Sequence, residues 1–146
     1  MDETIVSSFT RVSPAAFAEK VGIPLGWFVI SHRHMPVKSR RRVAHGRWYR
    51  ISCEGYSIFR ILRFSPNLKF SQADENELVV DWVGWLDLHG RADDVDGPLT
   101  LKIEPLPLIL TPLMTVKHPD PIYRLMGWLA LISVGLGLLS IFLSLK

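Results

Sequence analysis

The chain has 146 residues, 48% of them hydrophobic and 21% charged, with a formal net charge of +3. All 14 acidic residues and 16 of the 17 basic ones fall in positions 1–124; residues 125–145 hold no charge and Lys146 follows them. This partition excludes both a purely soluble globule and a long disordered chain, since either would carry charge along its whole length.

At the front, Met1-Asp2-Glu3-Thr4 puts acidic residues where a secretory signal would carry basic ones. Ser13 followed by Pro14 predicts a short helix over 14–20, capped by the serine and ending near Gly22. The apolar run 21–30 contains Gly22, Pro24 and Gly26 and is too short to span a bilayer, so it reads as a turn leading into a strand.

Residues 33–50 carry Arg33, Lys38, Arg40, Arg41, Arg42, Arg47 and Arg50 and no acidic residue, and they read as a basic loop. Residues 74–96 carry eight acidic residues against Arg91 alone, so the modest net charge conceals a dipolar domain. A basic docking segment of this kind would meet the acidic surface of another protein or of a neighbouring copy. Anionic lipid is an alternative, at about 1 kcal/mol per nearby cation. Nucleic acid ranks third: Trp48 and Tyr49 beside the arginines resemble a stacking platform, but no nucleic-acid motif accompanies them. The plain alternative is a solvated loop.

His32 and His34 would share one face of a strand, yet the cations around them would repel a metal ion and no Cys or carboxylate is near in sequence. Asp93-Asp94-Val95-Asp96-Gly97 lacks the ligand spacing of a calcium loop and reads as a turn.

Over 47–116, strand-like runs alternate with turn signals. Residues 47–53 (RWYRISC) and 56–64 (YSIFRILRF) flank Glu54-Gly55, which predicts a hairpin, although the second run alternates imperfectly and also admits a helix. Residues 78–88 (LVVDWVGWLDL) read as a strand with a bulge at Gly84, and 99–103 (LTLKI) as another after Asp96-Gly97-Pro98. Residues 106–116, with Pro107 and Pro112, read as an edge strand or strap. Half of the ten prolines fall in 104–121, which predicts an extended, stiff connection. Lone Cys53, among hydrophobic neighbours on a strand, reads as a buried structural thiol in a reducing compartment.

Residues 125–145 would reach about 31 Å as a helix, close to the thickness of a bilayer core. Tyr123, Arg124 and Trp128 at the entrance and Lys146 at the exit are the aromatic and cationic groups that favour the water–lipid boundary. Ala130, Ser133, Gly137, Ser140 and Ser144 repeat at spacings of three and four and share one helix face, suited to close helix packing. Gly127 and Gly135 lie off it.

The expected fold class is therefore mainly β: a small β-barrel or sandwich plus one C-terminal transmembrane α-helix. The expected division is an N-terminal segment 1–46, a β domain 47–116, a juxtamembrane linker 117–124 and the span 125–145. A single span so placed is a tail anchor, and the basic excess before it puts the N-terminal domain on the cytoplasmic side of the cell inner membrane. No phosphate loop, dinucleotide fingerprint, nucleophile elbow or zinc-protease motif occurs, so neither an enzyme nor a cofactor is expected. The function that fits is an accessory or scaffolding subunit of a membrane complex, partnered by lipid and by other subunits or its own copies. The alternative is a membrane-proximal module binding nucleic acid or anionic lipid.

Overall fold

The computed structural model describes residues 4–9, 11–13, 24–35, 37–64, 77–90 and 99–145. Two compact units emerge, Met1–Leu106 and Pro107–Lys146.

The first unit is mainly β. Strands β1 (Ile5–Phe9), β2 (Arg11–Ser13), β3 (Trp27–Ile30), β4 (Trp48–Cys53), β5 (Tyr56–Arg63), β6 (Glu77–Val80) and β7 (Leu99–Pro105) form one sheet in the order β1-β7-β4-β5-β3-β6-β2. Pairing is antiparallel except for β2 with β6 and β3 with β5. β1 and β2 are almost consecutive in sequence yet stand at opposite ends of that order. One N-terminal stretch therefore supplies both edge strands of this half-barrel sheet. Three of the seven strands come from residues before 47, so the sheet begins well ahead of the expected limit of 47–116.

The predicted hairpin is present. β4 and β5 pair from Trp48↔Ile61 to Cys53↔Tyr56, joined by Glu54 and Gly55, both with positive φ (45° and 94°). That is the backbone sign pattern of a type I′ turn, whose twist matches the strands it joins. The core fills the concave side: Tyr49, Ile51 and Cys53 of β4 meet Ile58 and Leu62 of β5, Leu101 and Ile103 of β7, and Phe28 and Ile30 of β3. Phe28 and Tyr49 meet edge to face at 6.0 Å between ring centroids.

Four expectations are corrected. The strand predicted over 78–88 ends at Val80, and Trp82–Leu88 forms helix α2. The cause is Asp81, whose carboxylate accepts from the Gly84 N–H at 2.9 Å and so caps the helix. In LVVDWVGWLDL, Gly84, Trp85 and Leu88 also carry helical spacing, and they are the α2 residues turned inward. The basic loop contains helix α1 (Lys38–Ala44), anchored by buried Ala44, while His32–His34 form a 3-10 turn and not a strand. The extended strap over 106–116 is helical: Leu108–Leu110 is a 3-10 turn and Thr111–Val116 is α3. Pro112 occupies the first turn of α3, where a missing N–H costs nothing. The helix expected over 14–20 and the turn over 93–97 lie outside the described residues.

One polar cluster joins β5 to α2. Arg60 shares the inward parity of Ile58 and Leu62, and its guanidinium pairs with Asp81 through both Nε and Nη2, the latter at 3.1 Å; both residues are buried. Arg60 Nη1 also donates to the Phe59 carbonyl at 2.8 Å. Gly84 makes room for this: a Cβ there would lie 2.8 Å from Val80 Cγ2 and 3.1 Å from Arg60 Nη2.

In the second unit, Asp120 caps helix α4 (Pro121–Ser144) by accepting from the Ile122 N–H at 2.8 Å, with Pro121 at the first position. The helix thus begins four residues before the expected span and takes in part of the expected linker. α3 packs on it at Gly127, where a Cβ would stand 2.8 Å from the Val116 nitrogen.

Asp81→Asn should lower stability by about 3–5 kcal/mol, because it leaves the Arg60 charge buried without a counter-ion. Gly84→Ala should cost about 1–3 kcal/mol through the contact with Val80. Chemical denaturation of the detergent-solubilised chain, followed by near-UV circular dichroism, reads both; wild-type midpoints would refute the assignment.

Candidate functional site

Beside α1 an open groove of about 890 Å³ is lined by His32, Lys38, Ser39, Arg41, Arg42, Val43, His45 and Phe64. Its walls come from the 3-10 turn, from α1 and from the end of β5. Phe64 is held in place by its own N–H, which donates to His45 Nδ1 at 3.3 Å, and its ring lies 5.7 Å from that of His32. The His45 ring also lies 6.3 Å from that of Trp27.

Among the described residues the groove's cations have no carboxylate counter-ion: no ion pair involves Lys38, Arg41 or Arg42, and neither α1 nor the 3-10 turn has an acidic residue in its first turn. Arg41 is half-buried, whereas Lys38 and Arg42 are exposed. The field of this cluster reaches His32, whose pKa is lowered first by burial and then by Arg41.

Of the seven basic docking residues, three line the groove. Arg33, Arg40 and Arg47 have interactions of their own, and Arg50 is an exposed β4 residue in register with Glu104 on β7. His32, His45 and Phe64 as groove walls were not foreseen, because only the turn and the end of β5 bring them to α1. Trp48 and Tyr49 are 6% and 2% exposed, so the stacking platform that would have favoured nucleic acid is not available. Of the acidic stretch, Asp81 is committed to Arg60, Asp87 lines a smaller cavity with Tyr56, Ser57 and Gly90, and residues 74–76 and 91–98 lie outside the described residues. Among the described residues no three potential metal ligands of His, Cys, Asp or Glu converge. Cys53 is buried, and burial, followed by the neighbouring Glu54, raises its thiol pKa, which makes it a poor nucleophile.

On α4, Tyr123, Arg124 and Trp128 are exposed in the first turns, with the Tyr123 ring 4.5 Å from that of His118. Lys146 lies outside the described residues. Ala130, Ser133, Gly137, Ser140 and Ser144 are all exposed on the helix, and a Cβ on Gly137 would meet nothing within 4 Å. Ser144 Oγ already donates to the Ile141 carbonyl at 2.9 Å. Gly127, off this face, is the packed glycine, while Gly135 is open.

No known protein family and no curated protein matches the chain. Among solved structures it is similar to the computationally designed msDPBB_sym2 protein, at 12% identity and a TM-score of 0.48 over 71% of this chain and 100% of that one. It is also similar to the rationally designed apDPBB_sym_79 protein, at 10% identity and a TM-score of 0.44 over 70% and 99% of the two chains.

Folding makes His32 harder to protonate, so its contribution to stability is present above its unfolded pKa and is lost as pH falls through the lower folded value. Arg41→Gln should move the His32 titration midpoint upward without restoring the ordinary value, since burial, the larger cause, persists. Imidazole NMR titration checks this, and an unmoved midpoint would refute the Arg41 contact.

Proposed function

We propose that this is a single-span, membrane-anchored accessory or scaffolding protein, whose β unit docks other components of a membrane assembly. The observation that carries the reading is α4. It has 24 residues, about 36 Å at the usual helical rise, long and apolar enough to cross a bilayer. The core helix of a soluble protein passes the same test of length and composition, but such a helix is mostly buried. Here 6% of the apolar window is buried, and from Trp128 to Leu145 every residue is exposed or half-exposed. Water would be a poor solvent for that surface, and lipid a good one. The backbone supports insertion, because a helix satisfies its own N–H and C=O groups where no water reaches.

The basic excess before the span favours the β unit on the cytoplasmic side of the inner membrane. Docking would use the small-residue face of α4 within the bilayer and the basic surface of the β unit outside it. A second reading, recognition of an anionic group, is favoured by three cations around one groove that have no carboxylate partner among the described residues.

In membranes from cells expressing the full chain, the protein should resist carbonate extraction and float with lipid, and protease should cut the β unit only after the membrane is opened. Recovery in the soluble fraction would sink the anchoring. Ser133→Leu with Gly137→Ile should weaken assembly on native gels in mild detergent, and an unchanged assembly would remove the helix face from the proposal.

A further inference from the structure

We infer that the groove beside α1 holds the phosphate of an anionic phospholipid headgroup, with Lys38, Arg41 and Arg42 as the cationic donors. This rests on the reading of α4 as a membrane span. Three features of the groove agree. Lys38, Arg41 and Arg42 have no carboxylate partner among the described residues, and a half-buried guanidinium such as Arg41 gains most from a ligand that brings its own negative charge. The donors are of the right kind: two guanidinium forks, an ammonium, and the Ser39 hydroxyl.

The third feature decides between ligands. The cations share the groove with Phe64 and Val43, and Val43 is 65% exposed despite its apolar side chain. Free phosphate or an acidic peptide segment would satisfy the charges and leave Val43 wet, since Phe64 is already buried. A phospholipid brings both parts, a phosphodiester for the cations and glycerol with the first acyl carbons for Val43. Supply also favours lipid. The β unit and α4 belong to one chain, so a spanning α4 would tether the groove to a bilayer and raise the effective concentration of headgroups around it.

The test titrates the full-length chain in zwitterionic detergent with dihexanoyl phosphatidylglycerol. It is read by the Nε–H signals of Arg41 and Arg42 and the imidazole signals of His32. Expected are saturable shifts together with a rise of the His32 midpoint as the bound anion offsets Arg41. Dihexanoyl phosphatidylcholine should give no saturable shift, and inorganic phosphate or a glutamate-rich peptide should bind more weakly than phosphatidylglycerol. Each of Arg41→Ala and Arg42→Ala should weaken binding by roughly fivefold or more, the loss expected for one cation near an anionic lipid. Lys102→Ala, an exposed β7 position outside the groove and outside the basic docking segment, should leave binding unchanged; an equal loss there would show diffuse attraction in place of a site and would overturn the inference.

Equal response to phosphatidylcholine, or tighter binding of phosphate or of the acidic peptide, would overturn it as well. Lys38→Gln, at an exposed helix position, repeats the measurement if the arginine variants disturb the hairpin amide signals. Partition into phosphatidylcholine vesicles is scored separately, so that failure of the membrane anchor and failure of the groove are told apart.

Discussion

A guanidinium sits on the inward side of β5 between Ile58 and Leu62, in surroundings where an unpaired ion would cost on the order of several kcal/mol. It stays there because Asp81 meets it with both carboxylate oxygens. The same carboxylate caps α2, so a single side chain ends strand β6, starts the helix and neutralises the core cation. The closeness of α2 to β5 follows, and so does the need for glycine at 84. Replacing the pair by aliphatic groups would fill the volume, but it would remove the capping bond that directs the chain from strand to helix.

The α1 groove inverts that arrangement. Arg60 is buried and matched; Arg41 is half-buried and meets no carboxylate among the described residues. The fold thus neutralises one arginine completely and, among the described residues, leaves three cations around an open, partly apolar groove without a carboxylate. A solvated face would spread its charges and hide its valine. Here Val43 and Phe64 share the groove with the cations.

Two features of the chain were misread from sequence for related reasons. Prolines in 104–121 suggested extension, because proline cannot donate to a ladder, but Pro112 and Pro121 stand at the starts of helices, where no donor is required. LVVDWVGWLDL suggested one strand because β-branched and aromatic residues dominate it, although its inward residues after Asp81 recur at helical spacing. In both cases a local preference was compatible with two conformations; a side-chain cap starts α2 at Asp81 and α4 at Asp120, whereas α3 has no side-chain cap and has Pro112 in its first turn.

The hydrophobic tail, the hairpin at Glu54-Gly55, the mainly β character and the excess of basic charge over 33–50 were legible in the sequence. Each depends on near neighbours: an unbroken apolar run, a turn that tolerates positive φ, alternation of side chains, a count of charges. What only the tertiary structure decided is which distant groups meet. Strands β1 and β2, from one N-terminal stretch, form the two ends of the sheet, Arg60 finds Asp81 twenty-one positions away, and His32 and Phe64 come together in a groove whose cations lie on a helix between them in sequence. Such contacts depend on strand order and register, and the free energy that selects a register is spread over the whole core, so no local stretch of sequence displays it.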